Sequence, residues 1–192
     1  MVDVMNKPQD IFKFKVTVVG DGMVGKTSLI QKFTKGNFQK EYIKTIGAQF
    51  SKHVEEIEND ECLLFFWDIA GQDEFHFLRP SFYKDSRAAI IVYSLEENKL
   101  GKESFKNVIH WYNDLKQFCG VIPVIVFANK VDLVNKDNLD TTKIEKLVKK
   151  KNLLGYYLTS AKTGESLYDA FQAIIKELYY KSKETITELI DS

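Results

Sequence analysis

The chain has 192 residues and is 44% hydrophobic, enough for one domain with a substantial core. Lys+Arg and Asp+Glu both number 27, so no net basic field is available to hold nucleic acid or an anionic membrane. The two cysteines, Cys62 and Cys119, are too few for a disulfide framework and read as reduced, buried thiols. No apolar run approaches the roughly 20 residues that a bilayer span needs, and Met1 to Asp10 lacks the apolar region of a signal peptide.

Along the chain, strand and helix signals alternate. Lys13–Val19 reads as a buried strand ending at Gly20, followed by a glycine-containing loop and a helix over Lys26–Lys35 that stops at Gly36. Residues 37 to 46 read as a long loop. Gln49–Ile57 and Cys62–Trp67 read as an antiparallel hairpin turning through Glu58 to Glu61. Residues 68 to 87 read as polar and irregular. Ala88–Ser94 and Val121–Phe127 read as buried strands. Between them, Phe105, Val108, Ile109, Tyr112 and Leu115 predict a helix over Lys102–Phe118. A charged helix over Thr141–Lys150, a short strand over Tyr156–Thr159 and an amphipathic helix over Glu165–Tyr180 follow. This order predicts an α/β domain: a mostly parallel sheet with helices on both faces and its ligand at the carboxyl ends of the strands.

The loops at those ends carry the chemistry. Gly20-Asp21-Gly22-Met23-Val24-Gly25-Lys26-Thr27 fits G-x-x-x-x-G-K-[ST] in full, between a predicted strand and a predicted helix that continues through Ser28. Glycines let the backbone N–H groups wrap phosphates, and the helix N-terminus adds positive potential. The pattern gives Lys26 to the β and γ phosphates and the Thr27 hydroxyl to Mg²⁺. This motif alone does not choose a base. Asn129-Lys130-Val131-Asp132 follows the predicted strand Val121–Phe127. The Asp132 carboxylate can accept from guanine N1–H and the 2-amino group, donors that adenine lacks, which discriminates by about 10⁴-fold or more. Asn129 is placed to tie this loop to the phosphate loop, and the Lys130 stem to cover one face of the base. After the last strand come Ser160-Ala161-Lys162, where the Ala161 N–H can donate to guanine O6.

Asp68-Ile69-Ala70-Gly71-Gln72 supplies hydrolysis. Asp68 suits contact with Mg²⁺ through water. Gly71, without a Cβ, lets its N–H approach the γ-phosphate, and Gln72 can hold the attacking water in line. Positioning and charge stabilisation carry most of the rate. Thr45, within Tyr42-Ile43-Lys44-Thr45-Ile46-Gly47, can bind Mg²⁺ and the γ-phosphate only while that phosphate is present, the logic of an order–disorder switch. Phe38 can stack edge-on against the guanine. His76 reads as a surface residue, and His53 and His110 fit no metal-ligand pattern.

Together these residues resemble the Ras superfamily of small GTPases over about residues 12 to 180. The resemblance implies a three-layer P-loop fold with a six-stranded sheet, one antiparallel edge hairpin and five helices. It implies Mg²⁺ and GTP or GDP as ligands, and a GTPase-activating protein, an exchange factor and effectors as partners. Tyr42 to Phe50 resembles the Rab effector loop, and Ile46, Phe50, Trp67 and Phe82 stand where Rab proteins present an effector surface, a face suited to an amphipathic partner helix. Ser104 to Val108, Trp111 and Lys150 to Leu153 instead resemble Ran, so the subfamily stays open. Residues 1 to 11 are expected to form a flexible extension and 181 to 192 a tail that prolongs the last helix. No cysteine follows Cys119, so no lipid anchor is evident. The chain is expected to be a cytoplasmic monomer, brought to membranes by partners, unless a lipidated segment has been removed. A scaffold that holds nucleotide without cycling, and an ATP-using P-loop kinase, are the competing readings.

Overall fold

The structure, a computed structural model, describes residues 10–36, 47–71 and 77–191. Its sheet has six strands in the order β2-β3-β1-β4-β5-β6. These are β1 (Ile11–Val19), β2 (Ala48–Ile57), β3 (Asp60–Ile69), β4 (Ala88–Ser94), β5 (Val124–Asn129) and β6 (Gly155–Thr159). All neighbours pair in parallel except β2 and β3, which form the antiparallel edge. Among the described residues five α-helices flank it: α1 (Lys26–Lys35), α2 (Arg79–Tyr83), α3 (Lys99–Cys119), α4 (Thr142–Lys151) and α5 (Leu167–Asp191).

Strand alternation splits the core in two. Val16, Val18, Leu64, Phe66, Ile90, Val92, Ile125 and Phe127 point to one face, where Leu29 and Ile30 of α1 and Phe171, Ile174 and Ile175 of α5 cover them. Val19, Ile69, Ala89, Ile91, Tyr93, Val124 and Val126 point to the other, beneath Val108, Trp111 and Leu115 of α3 and Ile144 of α4. Every residue of β4 is buried, as a parallel strand covered on both faces requires.

Several boundaries differ from the sequence reading for local reasons. The β2–β3 turn is only Glu58-Asn59, with φ of 52° and 72°, the left-handed pair that a two-residue hairpin favours. Segment 68–87 is not irregular throughout, because Arg79-Pro80-Ser81 opens the short α2 with Pro in its first turn. α3 begins at Lys99, because the Asn98 side chain accepts from Gly101 N and caps it. β5 begins at Val124. Val121 precedes Pro123 and is 97% exposed, so it joins neither sheet nor core.

Candidate functional site

The loops after β1, β3, β5 and β6 converge at one end of the sheet. The loop after β1 runs straight into α1, whose N-cap is Gly25, with no side-chain cap and no acidic residue in the first turn. α1 itself brings no acidic residue to its positive end, which suits it as a seat for phosphate. Lys26 is only 6% exposed, and its ammonium donates to the carbonyls of Gly20 and Asp21, both at 2.8 Å. Burial pushes its pKa down to about 8; Asp68 and Asp21 pull the other way, and Arg79 adds to the fall. Ser28 lies in the first turn of α1, and Met23 takes φ of 65° with its side chain exposed.

Gly71 lies directly against the phosphate loop. A Cβ there would fall 2.2 Å from Gly20 O and 2.6 Å from Gly22 N, so only glycine permits this approach. Among the described residues, nothing lies within 4 Å of where a Cβ on Gly22 would stand. The Thr27 hydroxyl donates to Asp68 Oδ2, and Asp68 is 2% exposed. Two hard oxygen donors on separate elements thus meet beside the phosphate loop. This donor set fits Mg²⁺, which takes one or two protein oxygens and completes its shell with phosphate oxygens and water. No group of three or more His, Cys, Asp or Glu that could hold a metal occurs among the described residues.

Asn129 joins the loops. It is 1% exposed; its Nδ2 donates to Val24 O at 2.8 Å, and its Oδ1 accepts from Ala161 N at 3.2 Å. A Cβ on Gly25, which has φ of 100°, would lie 2.3 Å from Asn129 Nδ2, so this bond depends on glycine as well. The amide that the sequence offers to guanine O6 therefore serves Asn129 in this structure. Asp132 is fixed by Ser160, whose Oγ donates to Oδ1 at 2.6 Å, with Lys162 Nζ 3.8 Å from Oδ2. Lys130 sits at φ of 69° and reaches Glu96 Oε2 at 2.5 Å. Burial alone would raise the Glu96 pKa; hydrogen bonds from Lys130 and Ser94 outweigh it and hold the carboxyl below its ordinary value. Glu96 was not singled out in the sequence, since it lies in a different loop from the residue it holds.

Phe50, Trp67 and Phe82 form one aromatic patch. The Phe50 and Trp67 centroids are 6.1 Å apart, as are those of Trp67 and Phe82, and Phe50 is 54% exposed. Lys15 Nζ sits 4.4 Å from the Trp67 ring. Phe38, Tyr42, Thr45, Ile46, Gln72 and His76 lie outside the described residues.

A mostly parallel sheet whose loops join a glycine-rich phosphate seat to a buried Asn129 and a Ser160-held Asp132 defines an α/β nucleotide-binding domain of the P-loop class. Residues 15–180 match the Ras family. The Ras-related protein Rab-5A of Dictyostelium discoideum is 33% identical over 175 residues, covering 91% of this chain and 85% of that protein. Ras-related protein Rab-13 of Rattus norvegicus and of Bos taurus are each 31% identical over 170 residues, 88% of this chain and 81% of theirs. The chain belongs to the Ras family and, like its Rab relatives, is a small GTPase, a hydrolase of GTP.

Proposed function

We propose that this GTPase is a two-state switch whose domain spans residues 12–180, with residues 181–191 prolonging α5. The observation that carries the proposal is Asn129, which grips the phosphate loop at Val24 and the Ser160–Lys162 loop at Ala161 at once. Phosphate and base are then read by one connected unit. The backbone of Gly20, Asp21, Gly22, Met23, Val24 and Gly25, with Lys26, Thr27 and Ser28, holds the phosphates. Asp132 accepts from the guanine edge, buttressed by Ser160 and Lys162, while the Lys130 stem and Phe38 flank the base. At 3.2 Å the Ala161 N–H is long enough to be shared with guanine O6. Thr27, Thr45 and, through water, Asp68 hold Mg²⁺, which supplies charge stabilisation of the phosphates when bound.

Gly71 N–H and Gln72 act on the γ-phosphate and the attacking water. Tyr42 to Ile46 and the segment after Gly71 are the two loops that sense this phosphate. The unaided rate is slow, about 10⁻⁴ to 10⁻² s⁻¹, and Gly22, without a Cβ, leaves room for an arginine from an activating partner. Ile46, Phe50, Trp67 and Phe82 present the effector surface. The Rab-like loop implies vesicle traffic, with an exchange factor and effectors bringing a monomeric, cytoplasmic protein to membranes. Gln72→Leu tests the hydrolytic role: single-turnover hydrolysis slows at least tenfold while GTP binding is unchanged. Equal rates would remove Gln72 from the mechanism.

A further inference from the structure

Asp21, the second residue of the phosphate loop, is a junction. Its carboxylate faces α3, where Oδ1 accepts from Trp111 Nε1 and Oδ2 from Asn107 Nδ2, both at 2.8 Å. The two donors stand four residues apart on one face of α3, so a single helix offers both to a single carboxylate. The Asp21 carbonyl accepts from Lys26 Nζ, and Gly71 packs against its backbone. The phosphate lysine, the Asp68–Gly71 segment and α3 thus meet at one residue. Trp111 is 5% exposed, and a second residue uses its ring: the Arg79 guanidinium lies 4.3 Å from the indole centroid, with Nη1 donating to Asp114 at 3.3 Å. Arg79 opens α2, seven residues after Gln72 in the chain. The guanidinium is held by the ring quadrupole and by Asp114 together, so a partner draws it off the indole only by offering a carboxylate that competes with both contacts.

We infer that Asn107 and Trp111 are positioning residues that fix the phosphate loop through Asp21, and that the Arg79–Trp111 stack couples this anchor to α2. Drawing Arg79 off the indole loosens Asp21 and speeds nucleotide release. This gives an exchange partner with an acidic surface a handle that touches no nucleotide atom. The inference rests on the reading of the site as a guanine-nucleotide site.

The test is release of mant-GDP from the full chain with Mg²⁺ present, for wild type, Asn107→Ala and Trp111→Phe. Losing one bond to the carboxylate should speed release about tenfold in each. Trp111→Phe leaves a void in the core; Asn107→Ala is half-buried and carries the test if that variant does not fold. The second readout is tryptophan emission. The chain has two tryptophans, so Trp67→Phe leaves Trp111 as sole reporter. Its emission should change when GDP is exchanged for a non-hydrolysable GTP analogue, and adding Arg79→Ala should abolish that change. A merely structural Trp111 would lower thermal stability but leave release and the nucleotide-dependent emission untouched. Wild-type release rates in both single variants, or an emission change that survives Arg79→Ala, overturn the inference. Failure of wild type to bind mant-GDP at all would remove the site reading itself, a separate and recognisable result.

Discussion

The two poles of the sheet use polar residues in opposite ways. At the carboxyl ends of the strands, polar groups are buried and cross-link loops: Lys26 to the phosphate-loop carbonyls, Asn129 to Val24 and Ala161, Ser160 to Asp132. Backbone there tolerates φ of 65° at Met23 and 69° at Lys130. At the amino ends, the β2–β3 turn is strapped to the outer half of α5. Lys183 Nζ lies 2.6 Å from Asp60 Oδ2 and 3.2 Å from Asp10, Tyr179 OH donates to Asp60 at 2.8 Å, and Tyr180 OH donates to Glu58 at 3.0 Å. One pole keeps charge buried for a ligand to answer; the other satisfies Asp60, equally buried at 7% exposure, internally through Tyr179 and a part-exposed Lys183. The first stores cost that binding can relieve, and the second contributes modest stability.

The comparison breaks most severely at Asn129. Asn129→Ala leaves a buried carbonyl and a buried amide without their partner, at about 1–3 kcal/mol each, so roughly 3–4 kcal/mol of stability should be lost. Urea denaturation measures this, and mant-GDP release should accelerate about a hundredfold. A loss below about 1 kcal/mol would show that the loops hold without it.

Next is Lys26. Its fall from 10.5 to about 8 on burial corresponds to about 3 kcal/mol. Between these values the unfolded chain binds the proton and the folded chain does not, so stability rises with pH across that window. Nucleotide-free wild type should gain on Lys26→Met from pH 8 to 10.5, with GDP abolishing the gain because its phosphates favour the ammonium. Thermal melts across that range give the answer, and a pH-independent gap between the proteins would contradict it.

The smallest effect lies at the other pole. Hydrogen bonds from Lys183 and Tyr179 hold the Asp60 carboxyl below its ordinary value, so their stabilisation is present above pH 3.8 and lost as pH falls through the lowered value. Lys183→Met should cost about 1 kcal/mol or less at pH 7, vanish as a difference in acid, and leave GDP release unchanged. Altered release would mean that the poles are coupled through β2 and β3.

How much of this was legible in sequence depended on range. The phosphate loop, Asp68 and Asn129-Lys130-Val131-Asp132 announce themselves because each needs a fixed local order of residue types, and the strands that place them are near-continuous apolar runs. The α3 anchor was not legible. Asp21 lies 86 and 90 positions from Asn107 and Trp111, so neither the phosphate motif nor the Ran-like stretch showed that their side chains meet. Glu96 was missed likewise, since its pairing with Lys130 bridges the loops after β4 and β5. The apolar stripe of α5 marks it to Tyr180 and the tail reads as its extension; the structure carries the helix to Asp191, and what the sequence does not show is that Lys183 makes its ties there.

The central claim is that these loops select guanine through Asp132. Competition against bound mant-GDP by GDP, GTP, ADP and ATP tests it most directly. GDP and GTP should displace the probe at stoichiometric levels, ADP and ATP should fail at a thousandfold excess, and Asp132→Ala should erase the difference. Displacement of mant-GDP by ATP as readily as by GTP would contradict the account.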